Sequence, residues 1–422
     1  MAAAVPASAA TFTVTNGDDT TDTGTLRTAI TDAEANTNAP TVDEIQFDPS
    51  VTAVDLTGGL PSITEPLTIN GPGASSVNVR RSSGASSPFG LFSVSPSNSL
   101  YTVTIRGLKI SGADSTGFTA GAVFKDGPGN LALDSVVITG NSGTQAAGLY
   151  YSLGHTTISN SALTDNHALD VSDGNGGAIL GASGQAQIVN STIDGNSATR
   201  FGGGVFLGDP ATIQILSSTI THNTADSDSN STGSGGGLYN SSTIAFQVAN
   251  TLLAGNLLGA TSDGTTQCGG GAFTSSGYNL RSEGDTGCTG FGATGDFVNG
   301  TPLIAGAPAT NGGPTPNVAL LPGSPAIDAG NPAAFGAFPA CPATDQRGLF
   351  RGGGAGRCDI GSYELNASST PPPSGGGGTT TPPATTSTTT GQRAKAIKKC
   401  KKKFRKGPKR KKCIKRAKRL PV

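Results

Sequence analysis

Asp165 and Asp194 fall at neighbouring positions in two consecutive copies of a repeated phrase, "ISNSALTDN" (158–166) and "IVNSTIDGN" (188–196), with Arg200 just beyond the second. Glycoside hydrolysis needs two carboxyl groups flanking the scissile bond, one as acid and one as base or nucleophile. Asp165, Asp194 and Arg200 are therefore the candidate catalytic set. The competing account is structural, because aspartates beside bends cap turns by accepting backbone N–H groups. A second acidic set, Asp170, Asp173, Asp226, Asp228 and Asp263, precedes glycine-rich stretches and would offer oxygen ligands to calcium, the one cofactor these residues suggest. "DSDSN" (226–230) starts like a calcium loop, but Ser231 stands where that loop needs glycine and Gly237 where it needs glutamate. His155, His167 and His222 share neither a column of the repeat nor metal-ligand spacing, and read as solvated turn residues. Nucleophile elbow, phosphate loop and HExxH patterns are absent. Tryptophan, the best residue for stacking on a sugar ring, is absent too.

A third chemical feature is a column of large residues after recurring glycines: Val123, Tyr150, Ile179, Phe206, Tyr239 and Phe273. With Leu149, Ala178, Val205, Leu238 and Ala272 turned inward, this column points outward and stacks as a partly exposed stripe. Tyr150, Phe206, Tyr239 and Phe273 are its candidate ligand-binding members, for a glycan or a protein.

These residues are positioned by repetition. "IRGLKISGA" (105–113), "LDSVVITGN" (133–141), "ISNSALTDN", "IVNSTIDGN", "ILSSTITHN" (215–223) and "VANTLLAGN" (248–256) align without gaps, their ends 28, 25, 30, 27 and 33 residues apart. That period belongs to solenoids. The first and sixth columns are wholly aliphatic, yet residues five apart on a straight strand face opposite sides. A bend must lie between them, and the third column (Gly107, Ser135, Asn160, Asn190, Ser217, Asn250) holds types that tolerate a left-handed backbone. The ninth column, Asn141, Asn166, Asn196, Asn223 and Asn256, suits a ladder of stacked side-chain amides. The chain thus reads as all-β, a parallel β-helix in which each coil covers its neighbour's apolar interior. "GTLRTAITDAEAN" (24–36) places Leu26, Ala29, Ile30 and Ala33 on one helical face, suited to capping the N-terminal end.

Six cysteines fall into close couples: Cys268 with Cys288, Cys341 with Cys358, and Cys400 with Cys413. The short loops fit disulfides in an oxidising compartment, neighbour pairing being one of fifteen possible connectivities. Without a C-x-x-C, the spacing does not suit zinc.

The two ends of the repeat region carry a resemblance. "TFTVTNGDDTTDTGTLRTAI" (11–30) resembles the start of bacterial surface proteins of the CSLREA type, with Gly24-Thr25 and Thr28 in place of that motif's usual Cys-Ser and Glu. "NGGPTPNVALLPGSPAIDAG" (311–330), "TDQRG" (344–348) and "CDIGSYE" (358–364) resemble the choice-of-anchor Q domain. The likeness covers roughly residues 11–364 and implies an exported, right-handed parallel β-helix attached to the cell envelope, with no established activity. Within the C-terminal motifs, Asp345 and Arg347, with Asp328, Asp359 and Glu364 near them, read as an ion-pair network pinning that region, or alternatively as a ligand site.

Charge divides the chain. Residues 393–419 hold 17 of the 28 Lys and Arg and no acid, leaving 11 basic against 28 acidic residues elsewhere. Residues 366–391, rich in Pro, Thr and Gly, read as a disordered spacer. Beyond it, Ala394, Ile397, Cys400 and Phe404, then Cys413, Ile414, Ala417 and Leu420, have helical spacing on either side of Gly407-Pro408, consistent with a short helical hairpin. Such a tail suits anionic envelope polymers or lipid headgroups. Nucleic acid fits it poorly, since Phe404 is its only aromatic residue. No apolar run is long enough for a transmembrane span. The first ten residues, "MAAAVPASAA", resemble the end of a secretory signal.

The expected organisation is a residual signal-like segment (1–10), an N-terminal cap (11–44), the β-helix (45–300), an irregular C-terminal cap (301–365), the linker (366–391) and the basic tail (392–422). The expected function is adhesion or ligand binding by a secreted, cell-surface protein. The alternative is a polysaccharide lyase or glycoside hydrolase of the pectinase-like β-helix class.

Overall fold

The computed structural model describes residues 9–36, 41–119, 121–244, 246–259, 267–282, 287–352 and 357–370. Asp263, Cys400, Cys413 and the basic tail lie outside them. The chain winds as a parallel β-solenoid whose coils contribute to sheets of ten, nine, seven and six strands. One coil runs through Asn130–Asp134, Val137–Thr139, Ser142–Gly143 and Leu149–Tyr151, and the next begins at His155–Ser159. Each strand pairs in parallel with its counterpart one coil away, as Leu133 does with Ile105 and Ile158. At ~4.8 Å per coil, the ten-stranded sheet extends for about 43 Å.

Packing explains the repeat. Ile105, Leu133, Ile158, Ile188, Ile215 and Val248 form one continuous buried column, and Ile110, Ile138, Leu163, Ile193, Ile220 and Leu253 a second. Both face the same interior because the backbone bends between them at the third column. There Gly107, Ser135, Asn160, Asn190, Ser217 and Asn250 all have φ between 46° and 63°. A second left-handed column follows the sixth: Gly112, Gly140, Asp165, Gly195, His222 and Gly255. Residues with a Cβ are disfavoured in this conformation, which is why Gly, Asn, Asp and Ser dominate both columns.

Each bend buries polar groups, and stacked side chains satisfy them. The Asn141 amide donates to Asn166 Oδ1 at 2.8 Å, Asn166 to Asn196 at 2.8 Å, Asn196 to Asn223 at 2.8 Å and Asn223 to Asn256 at 2.9 Å. Gln267 Oε1 ends the series, accepting from Asn256 Nδ2 at 2.6 Å. A parallel hydroxyl ladder serves the first bend: Ser161, Ser191 and Ser218 accept from the backbone N–H of Val136, Ser161 and Ser191. These amides and hydroxyls have no accessible surface.

The helix Leu26–Ala35 starts at Thr25, whose hydroxyl accepts from Thr28 N. Its buried face, Leu26, Ala29, Ile30 and Ala33, joins the solenoid's core beside the strands Thr11–Val14 and Asp43–Phe47. None of the described helices is long and apolar enough to cross a membrane.

The C-terminal region departs from the expected end cap. Contacts at the last coil come from Phe291, against Phe273 at 6.1 Å, and from Asp296, which accepts from Asn279 N and Ser275 Oγ. Residues 315–352 and 357–362 instead lie along the flank, over the first bend. Thr315 Oγ1 donates to Asn160 O, Asn190 Nδ2 to Thr344 O, Ser362 N to Thr219 Oγ1, and Gly361 N to Asn250 O. Left-handed residues turn main-chain carbonyls outward, and the flanking segment supplies their donors. Disulfides Cys268–Cys288 and Cys341–Cys358 staple the last coil and the flanking segment, respectively.

The interior of the coils also holds a lysine. Lys125 has no accessible surface, and its ammonium donates to the carbonyls of Asp126, Gly127 and Leu153 at 3.2, 2.8 and 3.3 Å. Burial pulls its pKa down to about 8, opposed by the Asp126 carboxylate. Between that value and the ~10.4 of a free lysine the unfolded chain binds more protons, so stability rises with pH across this window. Denaturant unfolding from pH 8 to 10.5 should show a gain of up to about 3 kcal/mol that Lys125→Met lacks.

Candidate functional site

The outward stripe exists on the seven-stranded sheet with a different membership. Its register is Phe124, Tyr150, Leu180, Phe206, Tyr239 and Gly269. Val123 and Ile179, expected outside, are fully buried, because in "AGAVF" and "GGAIL" the first large aliphatic fills the interior and the next residue faces out. Phe273, also expected outside, belongs to the ten-stranded sheet and packs inside against Phe246 at 4.9 Å, 3% exposed. The inner position it would have followed is occupied by Cys268.

The rings stack in two pairs along the rod, separated by Leu180, which is 4% exposed. Phe124 and Tyr150 lie 5.1 Å apart at 15°, and Phe206 and Tyr239 5.5 Å apart at 5°. Phe201 adds a contact to Tyr239 at 4.4 Å and carries the Arg200 guanidinium 4.9 Å above its centroid. All four stripe rings are half-buried. Near-parallel stacking commits ring faces to one another, leaving edges and tyrosine hydroxyls for a partner. Partial burial raises the Tyr150 pKa, with the nearby Asp126 carboxylate adding to it, so its hydroxyl stays a neutral donor at physiological pH.

The carboxylate set is rearranged. Asp194 is 8% exposed, and its Oδ1 accepts from Thr221 Oγ1 and His222 Nδ1, both at 2.6 Å. Asp165 reaches Asp194 through the main chain, its N–H donating to Asp194 O at 3.3 Å, and its left-handed φ of 52° makes it a bend residue. Arg200 bonds Ser172 O and covers Phe201, instead of joining either carboxylate. The unforeseen partner is His222, whose own left-handed bend sets its ring beside Asp194. Its hydrogen bond to Asp194 raises its pKa against the opposing effect of burial. The pair therefore contributes stability below the free-histidine value of ~6.5, lost as pH rises through the raised folded value. NMR titration should place His222 above a free histidine, and Asp194→Asn should bring it down. The other histidines are also engaged: His167 Nδ1 bonds Ser197 Oγ at 2.8 Å, and partial burial lowers the His155 pKa.

The acidic loops organise themselves internally. Asp226, 5% exposed, accepts backbone N–H bonds from Asn230, Ser231 and Thr232, and Asp228 accepts from the Asn230 amide. Asp170 closes a turn onto Ser172 and Asp173, while Asp173 accepts from the amides of Gln145 and Asn175. Among the described residues, the one group of three or more acidic, histidine or cysteine side chains close enough to share an ion is Asp328, Asp359 and Glu364, within 4.8 Å of one another.

That group belongs to the flanking segment's polar core. Asp359 accepts from Asp328 N and Leu365 N, and Glu364 from Gly352 N and Asp359 N. Arg351, fully buried, lies 3.5 Å from Glu364 and also donates to Asn190 Oδ1 and to the carbonyls of Thr344, Asp359 and Gly361. Asp345 binds Arg347 at 2.6 Å, and Arg347 stacks 3.8 Å over Tyr363. Burial raises the pKa of both Asp359 and Glu364, with the Arg351 charge opposing.

Two concavities lie on the described surface. One of about 370 Å³ lies between Ala74–Asn78, Lys109 and Val137 of the coils and Thr310, Pro314 and Pro316 of the flanking segment. The other, of about 260 Å³, is a furrow on the outer face of the ten-stranded sheet, lined by His155, Gln185, Thr212, Gln214 and Gln247. The recurrence of glutamine at 185, 187, 214 and 247, visible in the sequence once the coils are aligned, was the available signal for it. No protein-family model matches the chain, and no curated protein matches it.

Proposed function

We propose that this is an exported cell-envelope protein whose solenoid presents a binding surface for adhesion or ligand capture. The observation that carries this reading is the row of half-buried rings, Phe124, Tyr150, Phe206 and Tyr239, on one continuous sheet. Ring edges with tyrosine hydroxyls, beside the Arg200–Phe201 pair, are the residue types that dominate protein interfaces. The likeness of residues 11–364 to CSLREA-type and choice-of-anchor Q surface proteins supports export, as do the two disulfides. In this reading the helix Leu26–Ala35 seals the first coil, and the 17 basic residues of the tail hold anionic envelope polymers or lipid headgroups at the end of the linker.

Two experiments test it. A printed panel of glycans and extracellular proteins is probed with wild type and with Tyr150→Ala/Phe206→Ala/Tyr239→Ala. Capture lost in the variant, while its unfolding free energy falls only by the ~0.2–1 kcal/mol per pair of cross-strand stacking, supports the surface; unchanged capture rejects it. Deleting residues 392–422 should abolish salt-sensitive retention on cells, and unchanged retention would reject the anchor.

A second reading, a polysaccharide lyase or glycoside hydrolase, is favoured by one observation: Asp194 holds His222 at 2.6 Å, a carboxylate–imidazole pair able to accept a proton. Release of reducing or unsaturated ends from acidic or neutral glycans, abolished by Asp194→Ala, would establish it over binding alone.

A further inference from the structure

The furrow on the ten-stranded sheet lies on a different face from the aromatic stripe. One wall is the outward column His155, Gln185 and Thr212; the other is formed by Gln214 and Gln247 of the neighbouring outward column, which Thr157 and Gln187 continue along the sheet. Because the strands are in register, both walls run along the rod with one polar group per coil, ~4.8 Å apart.

Its chemistry is unusual for this protein. Outside the tail the chain has 28 acidic and 11 basic residues, yet no residue lining the furrow is acidic or basic apart from His155. Partial burial lowers the His155 pKa, leaving a neutral ring at physiological pH. The glutamines form a partial amide ladder, with Gln187 Nε2 donating to Gln214 Oε1 at 3.3 Å and Gln214 Nε2 to Gln247 Oε1 at 2.8 Å. Each amide has two N–H donors and a carbonyl with two lone pairs, so the ladder uses only part of its capacity. Gln185 is exposed at the rim. An ionic ligand would find no countercharge here, and an apolar one would strand polar groups. A chain of hydroxyls, each both donor and acceptor, matches every wall group.

We infer that this furrow binds a neutral oligosaccharide lying along the rod axis, its hydroxyls hydrogen-bonded to the side chains of His155, Gln185, Thr212, Gln214 and Gln247. The site goes beyond the aromatic-stripe reading and stands or falls separately from it.

Calorimetric titration with neutral hexasaccharides of glucose, mannose and N-acetylglucosamine, with oligogalacturonate as the acidic comparator and a polar uncharged hexapeptide as the extended-chain comparator, tests it on the full chain. A neutral hexasaccharide is expected to bind with an affinity independent of salt. Gln214→Leu should weaken it about tenfold or more. Gln185→Leu, at an exposed position, should weaken it measurably. Failure of all three neutral sugars to bind, preferential salt-sensitive binding of the acidic one, preference for the peptide, or affinity that survives both glutamine substitutions would overturn the assignment.

Discussion

Asn196→Leu is expected to destabilise the solenoid by about 3 kcal/mol or more, although the two side chains are similar in size. Asn196 accepts from Asn166 N and Asn166 Nδ2 and donates to Asn223 Oδ1 and Leu163 O, all inside the wall. Leucine fills the space but strands those donors and acceptors where water does not reach, at ~1–3 kcal/mol for each group left unsatisfied. Because coils are coupled to their neighbours, the damage should be centred there: hydrogen exchange should accelerate most at the coils carrying Asn166, Asn196 and Asn223. Guanidinium unfolding with exchange mass spectrometry measures both. A cost below about 1 kcal/mol would mean that the ladder follows the fold without supporting it.

Arg351→Met should cost about 3–5 kcal/mol, the range for breaking a buried pair by removing one partner. Arg351 bonds Asn190 on the solenoid and three carbonyls of its own segment, and it is the cation facing Glu364 and Asp359. Its loss leaves buried carboxylates uncompensated and cuts a tie between flank and coil. The expected phenotype is local: limited proteolysis opens the segment between residues 304 and 364 while the coil core keeps its protection. Changing Glu364 to Gln in the same chain should recover about 1 kcal/mol or more, since the stranded charge is then removed. A double variant as unstable as the sum of its singles would show that the charge pairing is not the cause.

The parts of this structure governed by local repetition were legible in the sequence. Aliphatic columns five residues apart required a bend, and the third-column Gly, Ser and Asn could supply one; φ near +50° at Asn160, Asn190 and Asn250 is that bend. The parts governed by a one-residue choice of face were less so. "GGAIL" offers two aliphatics in succession, and only the neighbouring coils decide that Ile179 goes in and Leu180 out. Phe273 was displaced for a related reason, since Cys268 had already filled the inner position of that coil. Contacts between distant segments carried no periodic signal at all. The Asn190 to Arg351 and Thr192 to Gln346 bonds span more than 150 residues, so a flank-lying segment looked like an end cap. Asp194 stands out in the sequence for its chemistry, but its partner comes from the next coil, where His222 occupies a column otherwise held by Gly and Asp.

The measurement that bears most directly on the account is a methyl-resolved NOE spectrum of protein labelled at isoleucine. Single-file stacking of coils puts Ile158 against Ile188 and Ile188 against Ile215, with Ile158 and Ile215 two coils apart. Strong cross-peaks for the two adjacent pairs, and a weak or absent one for the outer pair, are the expected result. Absence of the adjacent cross-peaks, or equal intensity for all three, would contradict a continuous solenoid and remove the rows on which both binding proposals stand.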